Sequence, residues 1–373
     1  MPIKKLFVEK EHQQLNDLSK FLDEEKPIII FGAGNLGKKI ANFLVAENKN
    51  VIAFADNNPK AWGSEFSNIK IVNPKDFTSE QLKNAAWIVA IWSPGHAFST
   101  TKKQLQSLGV ANIFHAVALL QLFPGKLLPH YHFQTPDYFQ QHKNEINEVY
   151  ESLADEESKK QYLAHLDSRI NINLEGLPEP DTENQYFPEG IVTLTDNEVF
   201  LDAGAYDGDT LEQFSIRTNG IFSKYIALEP DPDNYEKLLH RVSKFPQGKV
   251  EVFPYAIGEE NGTLKFNATG GEGAAISETG SVTVECRRID DLFYEYKPTY
   301  LKFDIEGAEL GALKGAKKTI TEYKPKLAVC LYHLPDDIWT IPLLIKEYNE
   351  GYKFFVRTHS LDGFEFVLYA IPK

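Results

Sequence analysis

Sulfur is scarce in this chain, which has two cysteines and one methionine in 373 residues, too few for a disulfide framework or a cysteine-based zinc site. Cys286 and Cys330 lie far apart in apolar, strand-like runs and read as buried thiols. A basic surplus is also missing, since 39 Lys and Arg against 53 Asp and Glu give a formal net charge of −14. Binding to nucleic acid or to an anionic membrane relies on cations that neutralise phosphates, so neither partner is expected. No apolar run approaches the length of a membrane span, and the start Met1-Pro-Ile-Lys-Lys-Leu6 lacks the apolar core of a signal peptide. The expectation is a cytoplasmic protein, with no signal for its oligomeric state. What is present is an ordinary globular composition, 42% hydrophobic and 25% charged, at a length that favours two domains.

The most informative stretch is Glu198-Val-Phe-Leu-Asp-Ala-Gly-Ala-Tyr-Asp-Gly-Asp-Thr210, an apolar strand that breaks at two glycines and enters a helix. In open α/β sheets ligands sit at the carboxyl ends of strands, where glycine lets the backbone come close. The spacing Gly204 to Gly208 differs from a dinucleotide loop, and Asp202, Asp207 and Asp209 crowd it. Carboxylates would repel a pyrophosphate but attract a sulfonium and an α-amino group, so S-adenosylmethionine is the expected cofactor. Glu229 ends the next apolar run, Tyr225-Ile-Ala-Leu228, about 20 residues past the glycine turn, and is placed to accept both ribose hydroxyls. Tyr206, Thr210 and Pro230 flank these two turns, and Tyr255 with Ala256 follows the third strand, Val250-Glu-Val-Phe253, where an adenine ring can lie.

A second glycine loop lies earlier. Pro27-Ile-Ile-Ile-Phe31 reads as a buried strand, followed by Gly32-Ala-Gly-Asn-Leu-Gly37 and a helix. Here the GxGxxG spacing is intact and carries no acid, so Gly32, Gly34 and Gly37 suit a phosphate at the helix N-terminus. Asp56, after the strand Val51-Ile-Ala-Phe-Ala55, suits a ribose diol. The expected ligand of this second site is a nucleotide or nucleotide-sugar. The run Trp87 to Trp92 reads as a further strand, His96 as a histidine capping a turn, and Asn112 to His115 as the strand closing this sheet. Residues 1–25 read as an amphipathic helix. His130 and His132 alternate as a metal pair does, yet have no third ligand nearby in sequence, so they are given a structural role.

The other chemistry-bearing stretch is Tyr300-Leu-Lys-Phe-Asp-Ile-Glu-Gly-Ala-Glu309. A strand delivers Asp304 to the ligand edge, and Glu306 and Glu309, three apart, share a helix face. The neighbouring run Lys326-Leu-Ala-Val-Cys-Leu-Tyr-His333 brings His333 to the same edge. An acceptor alcohol needs a base near the sulfonium, and His333 is the first choice because histidine titrates near working pH. Asp304, Glu306 and Glu309 compete for that role. Together with His333 they could instead hold a hard divalent cation, although no metal ligand is assigned from the sequence. The glycine-rich stretch Thr269 to Ala275 reads either as a lid or as a hairpin tip. Gly262 to Phe266 and Ser281 to Glu285 read as paired strands, and Lys353 to Arg357 with Phe364 to Tyr369 as a terminal antiparallel pair.

Three of these pieces, Glu198 to Thr210, Lys302-Phe-Asp-Ile-Glu-Gly-Ala-Glu309 and Leu331-Tyr-His-Leu-Pro-Asp-Asp-Ile-Trp339, resemble the FkbM family of S-adenosylmethionine-dependent methyltransferases, with Glu365-Phe-Val-Leu-Tyr-Ala370 beside them. The resemblance runs from about Gln185 to the end. It implies a class I, seven-stranded methyltransferase sheet and O-methylation of a sugar or polyketide hydroxyl. The first 120 residues, through Asp56-Asn-Asn-Pro-Lys-Ala-Trp-Gly63, resemble the Rossmann-like domain of bacterial sugar-modifying enzymes. The expected fold is therefore α/β with two doubly wound domains, a Rossmann-like nucleotide-binding domain (1–125) and a methyltransferase domain (185–373), joined by a helical connector (126–184). The expected function is O-methylation of a sugar, nucleotide-sugar or related small molecule. An NAD-dependent sugar-nucleotide oxidoreductase and a non-enzymatic sugar-nucleotide-binding protein are the alternatives.

Overall fold

The computed structural model describes residues 6–7, 13–267, 275–276, 280 and 282–373. The expected helix over 1–25 is described from Gln13 to Asp23, with Leu18 and Leu22 in the core. The glycine-rich stretch 269–274 and Ser281 lie outside the described residues.

The strands in chain order are β1 (Ile28–Phe31), β2 (Val51–Ala55), β3 (Glu65–Phe66), β4 (Ile69–Val72), β5 (Ala86–Val89), β6 (Asn112–His115), β7 (Val199–Ala203), β8 (Lys224–Leu228), β9 (Val250–Phe253), β10 (Tyr255–Ile257), β11 (Gly262–Asn267), β12 (Ala275–Ile276), β13 (Val282–Arg287), β14 (Tyr300–Phe303), β15 (Lys326–Cys330), β16 (Tyr352–Thr358) and β17 (Phe366–Pro372). They form a six-stranded sheet ordered β3-β4-β2-β1-β5-β6, a seven-stranded sheet ordered β16-β17-β15-β14-β7-β8-β9, and a four-stranded sheet ordered β10-β13-β11-β12. In the six-stranded sheet the strands from β4 to β6 are parallel. In the seven-stranded sheet those from β15 to β9 are parallel, and β17 and β16 add antiparallel at one edge. Central strands covered on both faces need apolar residues throughout, and β1 and β5 are buried along their whole length. The run expected to reach Trp92 leaves the ladder at Val89.

Each large sheet changes winding direction once, between β1 and β5 and between β7 and β14. Such reversals open a crevice at the strand ends. Both crevices carry a glycine that lets two loops meet. A Cβ on Gly32 would lie 3.1 Å from the Ala90 carbonyl oxygen, and one on Gly204 only 1.8 Å from that of Asp304.

The chain divides into two compact units with interleaved sequence: Met1–Lys143, Leu163–Pro180 and Ser360–Phe364 form one, and Asn144–Tyr162, Asp181–His359 and Glu365–Lys373 the other. Each depends on bonds between distant segments. In the first, Asp362 accepts a hydrogen bond from the Phe98 N–H at 2.6 Å. In the second, Arg357 donates to Asp155 at 2.7 Å, the Val356 N–H to Ser158 at 3.0 Å and the Tyr162 hydroxyl to the Ile338 carbonyl at 3.1 Å. No helix among the described residues is long and apolar enough to cross a membrane.

Candidate functional site

The loop after β7 is shaped by three left-handed residues, Gly204 (φ +84°), Tyr206 (φ +47°) and Gly208 (φ +89°). Tyrosine rarely adopts this conformation, and here a neighbour holds it. Glu229, at the tip of β8, accepts the Tyr206 N–H at 2.9 Å and the Asp231 N–H at 2.8 Å, one on each carboxylate oxygen. Burial pushes the Glu229 carboxyl up to about 7, against the pull of those two backbone donors. A carboxylate has about four lone-pair sites, so two bonds leave room for a ribose diol. Asp231 then caps the helix Pro232–Val242 through the N–H groups of Asp233 and Asn234.

The electrostatic argument for a sulfonium holds less well. Asp202 is fully buried and receives the Lys302 ammonium at 2.8 Å together with the Tyr225 hydroxyl. Asp207 is paired with Arg241 at 2.5 Å. Both charges are compensated inside the protein, leaving Asp209 as the exposed acid, where it accepts the Thr210 N–H at 2.7 Å. Thr210 and Ala256 are buried, Pro230 half-buried. Tyr255, half-buried, opens β10 with the Arg287 guanidinium 5.5 Å from its ring.

The second group of residues assembles where β14 and β15 end. His333 is buried, and its Nδ1 lies 2.8 Å from Glu309 Oε1, which also accepts the Ile305 N–H at 2.9 Å. On the other edge of the ring, Nε2 faces Asp304 Oδ1 at 3.6 Å and Glu306 Oε1 at 3.8 Å. Burial opposes a charge on His333, but the attraction and hydrogen bond of Glu309, then Glu306 and Asp304, outweigh it and hold the imidazole up to about 10. A histidine so placed carries a proton at neutral pH, so it is not poised as a free base in this arrangement. Asp304 accepts the Tyr186 hydroxyl at 2.7 Å and that of Tyr332 at 3.2 Å, and Tyr332 also reaches Glu365 at 2.9 Å. Burial and the Asp304 charge push Glu365 up to about 8.

Four of these side chains escape a reading of the sequence: Lys302, Tyr186, Tyr332 and Glu365. Lys302 had a signal, a lone cation inside the apolar run Tyr300-Leu-Lys-Phe303, in register with Asp202 on the neighbouring strand. Tyr186, Glu306 and Glu365 all sit in the left-handed region, at φ of 65°, 54° and 49°. Strained residues of this kind gather at functional sites. The helix begins only at Glu309, so Glu306 precedes it and does not share a helix face with Glu309 as expected.

The expected site residues thus fall into two groups, Asp202 to Thr210 with Glu229 and Pro230, and Asp304 to Glu309 with His333. The contact of Gly204 with the Asp304 carbonyl joins them. In the other unit, Asp56 accepts the Ala33 N–H at 2.8 Å and the Asn58 N–H at 2.8 Å, so it pins its glycine loop as Glu229 does. Gly37 lies against the Gly32 carbonyl, whereas nothing lies within 4 Å of a Cβ on Gly34. His96 bonds Thr101 at 2.9 Å, across the start of a helix. Among the described residues, the groups able to hold a metal centre on Asp304, and neither includes His130 or His132.

Comparison with known proteins agrees with this geometry. Residues 202–361 match the family model described as the methyltransferase FkbM domain, and residues 24–112 match the C2185-like, N-terminal model, a description that names no ligand. The chain is 27% identical over 191 residues to the 2-O-methyltransferase NoeI of Sinorhizobium fredii, covering 44% of this chain and 76% of that protein. It is 29% identical over 126 residues to the hexuronic acid methyltransferase AglP of Haloferax volcanii, covering 32% of this chain and half of AglP. In fold it is similar to the crystallised methyltransferase FkbM of Methylobacillus flagellatus, with a TM-score of 0.80 at 21% identity over 99% of both chains. Residues 202–361 are therefore similar in sequence to FkbM methyltransferase domains, whose family implies S-adenosylmethionine as methyl donor, and the fold of the whole chain is that of a crystallised FkbM methyltransferase.

Proposed function

We propose that the protein is an S-adenosylmethionine-dependent O-methyltransferase whose acceptor is a hydroxyl of a sugar, nucleotide-sugar or related small molecule. The observation that carries this reading is the meeting, at the β7/β14 crevice, of the glycine loop pinned by Glu229 with the His333 carboxylate cluster. The name of AglP supports a carbohydrate acceptor and that of NoeI transfer to an oxygen. When bound, S-adenosylmethionine supplies an electrophilic methyl group on a sulfonium. Gly204, Tyr206, Gly208 and Thr210 would line its amino-acid end, Glu229 and Pro230 its ribose, and Tyr255 and Ala256 its adenine. The acceptor oxygen must shed its proton as it takes the methyl group, and the carboxylates Asp304, Glu306 and Glu309, gathered around the charged His333, would take it up. Incubation of the purified chain with labelled S-adenosylmethionine and a panel of hexoses, uronic acids and nucleotide-sugars tests the reading. Label in no hydroxyl-bearing product, under conditions where the cofactor binds, would refute it.

The pH dependence of cofactor binding follows from Glu229. Its folded carboxyl holds a proton up to about 7, well above an ordinary glutamate, so the buried charge costs stability as pH rises through that window. Ribose hydroxyls donate, and donors favour the ionised form. Affinity for S-adenosylmethionine is therefore expected to fall about tenfold per pH unit below about 7 and to level off above it. Glu229→Gln should flatten the profile and weaken binding at pH 8 by at least about tenfold, the loss of a charge-assisted hydrogen bond. Calorimetry across pH that gives one affinity for both proteins would remove Glu229 from the cofactor site.

The proposal extends to a nucleotide or nucleotide-sugar at Gly32, Gly34, Gly37 and Asp56. It is supported by the helix Asn35–Ala46 opening at Gly34 and by the empty space around that residue. Gly34 has φ −75°, so valine fits the backbone, and its Cβ meets nothing within 4 Å. Gly34→Val is expected to abolish the thermal shift given by nucleotide-sugars in the full chain and to leave that given by S-adenosylmethionine intact. If no nucleotide moves the wild-type melting curve, the second site fails.

A further inference from the structure

The His333 cluster contains polar atoms that the protein leaves unsatisfied. His333 Nε2 and Glu309 Oε2 are both buried without a hydrogen-bond partner. An orphaned polar atom in a buried site is costly and calls for a partner outside the chain. Nε2 faces two carboxylate oxygens at 3.6 and 3.8 Å, beyond hydrogen-bond distance from either. Donor atoms held about 2.0–2.2 Å from a first-row cation stand roughly 3.0 to 3.5 Å apart around it. A closure of a few tenths of an ångström would bring Nε2 to that spacing from each of the two oxygens. Asp304, Glu309 and His333 offer donor atoms all within 4.8 Å of one another.

The far side of the ring is built as metal-binding histidines are. Nδ1 is held by Glu309 Oε1, whose position is fixed in turn by the Ile305 N–H. A carboxylate behind a ligating histidine sets its tautomer and aims the other nitrogen at the metal. Asp304 is likewise held from behind, by the Tyr186 and Tyr332 hydroxyls.

We propose that His333 Nε2 and Asp304 bind one divalent first-row cation, Mn²⁺ or Zn²⁺, with Glu306 swinging in beside Nε2 to complete its protein shell and Glu309 orienting the histidine. One imidazole with carboxylates suits these ions better than Mg²⁺ or Ca²⁺, which take all-oxygen shells. The cation would hold an acceptor hydroxyl as a further ligand beside the Gly204 loop. That role rests on the methyl-transfer reading; the binding itself does not.

The test uses the full chain, stripped with a chelator and titrated with Mn²⁺ while the signal of the free aqueous ion is followed by electron paramagnetic resonance. One equivalent should bind, and pulsed spectra of the bound ion should show coupling to a directly bonded imidazole nitrogen. Glu306→Gln and Asp304→Asn should abolish stoichiometric uptake, and Glu309→Gln should weaken it about 10- to 100-fold. A thermal shift with S-adenosylmethionine shows that each variant is folded. If a variant fails to fold, the nitrogen coupling in the wild type still decides. The inference is overturned if neither Mn²⁺ nor Zn²⁺ binds stoichiometrically at millimolar concentration, if bound Mn²⁺ lacks nitrogen coupling, or if folded Asp304 and Glu306 variants bind as the wild type does. Cofactor binding and methyl transfer by a protein that takes up no cation would sink this inference and leave the proposed function standing. Stoichiometric Mn²⁺ without cofactor binding would do the reverse.

Discussion

Replacing His333 with alanine is expected to lower kcat by about 10² to 10⁴ while S-adenosylmethionine affinity stays within a few-fold of wild type. The ring is the hub on which Glu309, Glu306 and Asp304 converge. Its removal leaves three carboxylates without the cation, proton or metal, that their geometry is built around. Added Mg²⁺ or Ca²⁺ should not restore the activity, because neither replaces the imidazole nitrogen as a ligand or proton carrier. The loop from Gly204 to Gly208, proposed to hold the cofactor, hangs on β7 and β8 and is pinned by Glu229, so the two measurements separate cleanly. Single-turnover kinetics on a true acceptor give the chemical step directly, and a folded His333→Ala protein that turns over near-normally would exclude His333 from catalysis.

The second large effect concerns stability. Lys302 is buried in the middle of β14, with its ammonium 2.8 Å from Asp202 and 2.8 Å from the Gly204 carbonyl. Burial works against its charge, but Asp202 and then Asp304 hold it protonated. Lys302→Met keeps much of the apolar volume and leaves Asp202 without its counter-charge. Breaking one side of a buried pair in this way is expected to cost about 3 to 5 kcal/mol. At about 2 to 4 °C per kcal/mol for a unit of this size, Tm should drop by roughly 6 to 20 °C. Pairing it with Asp202→Leu should recover part of the loss, since an apolar pair of similar volume carries no unpaired charge. Thermal unfolding that moved by only a degree or two in the single variant would show the pair to be dispensable.

These two residues also mark what the sequence makes legible. His333, Glu229 and the glycine turns follow from local signals, an apolar run that stops, a glycine, an acid at a strand tip. Their positions at the sheet edge could be inferred without knowing which strands are neighbours. Lys302 requires the pairing of β14 with β7, which joins positions 100 residues apart. The same holds for Tyr186, whose hydroxyl meets Asp304 across 118 residues, and for Glu365, which approaches through a hairpin at the end of the chain. Asp202 shows the converse case. Its place in the glycine stretch suggests a ligand-facing acid, but alternation along β7 turns it inward to Lys302, a partner that local sequence does not reveal.

The interleaving of the two units sets the order in which the protein can be completed during synthesis. Asp155 and Ser158 leave the ribosome about 200 residues before the strand that carries their partners Arg357 and Val356, and the Phe98 N–H precedes Asp362 by 264 residues. At about 5 to 20 residues per second, the earlier unit waits roughly 10 to 50 seconds for its last segment. Neither unit can be finished as an independent domain while its successor is being made, and both wait for residues after 359. A chain cut before Ser360 would therefore leave both units unfinished at once, and a nascent chain stalled there would present two incomplete folds to the chaperones that bind exposed apolar surface.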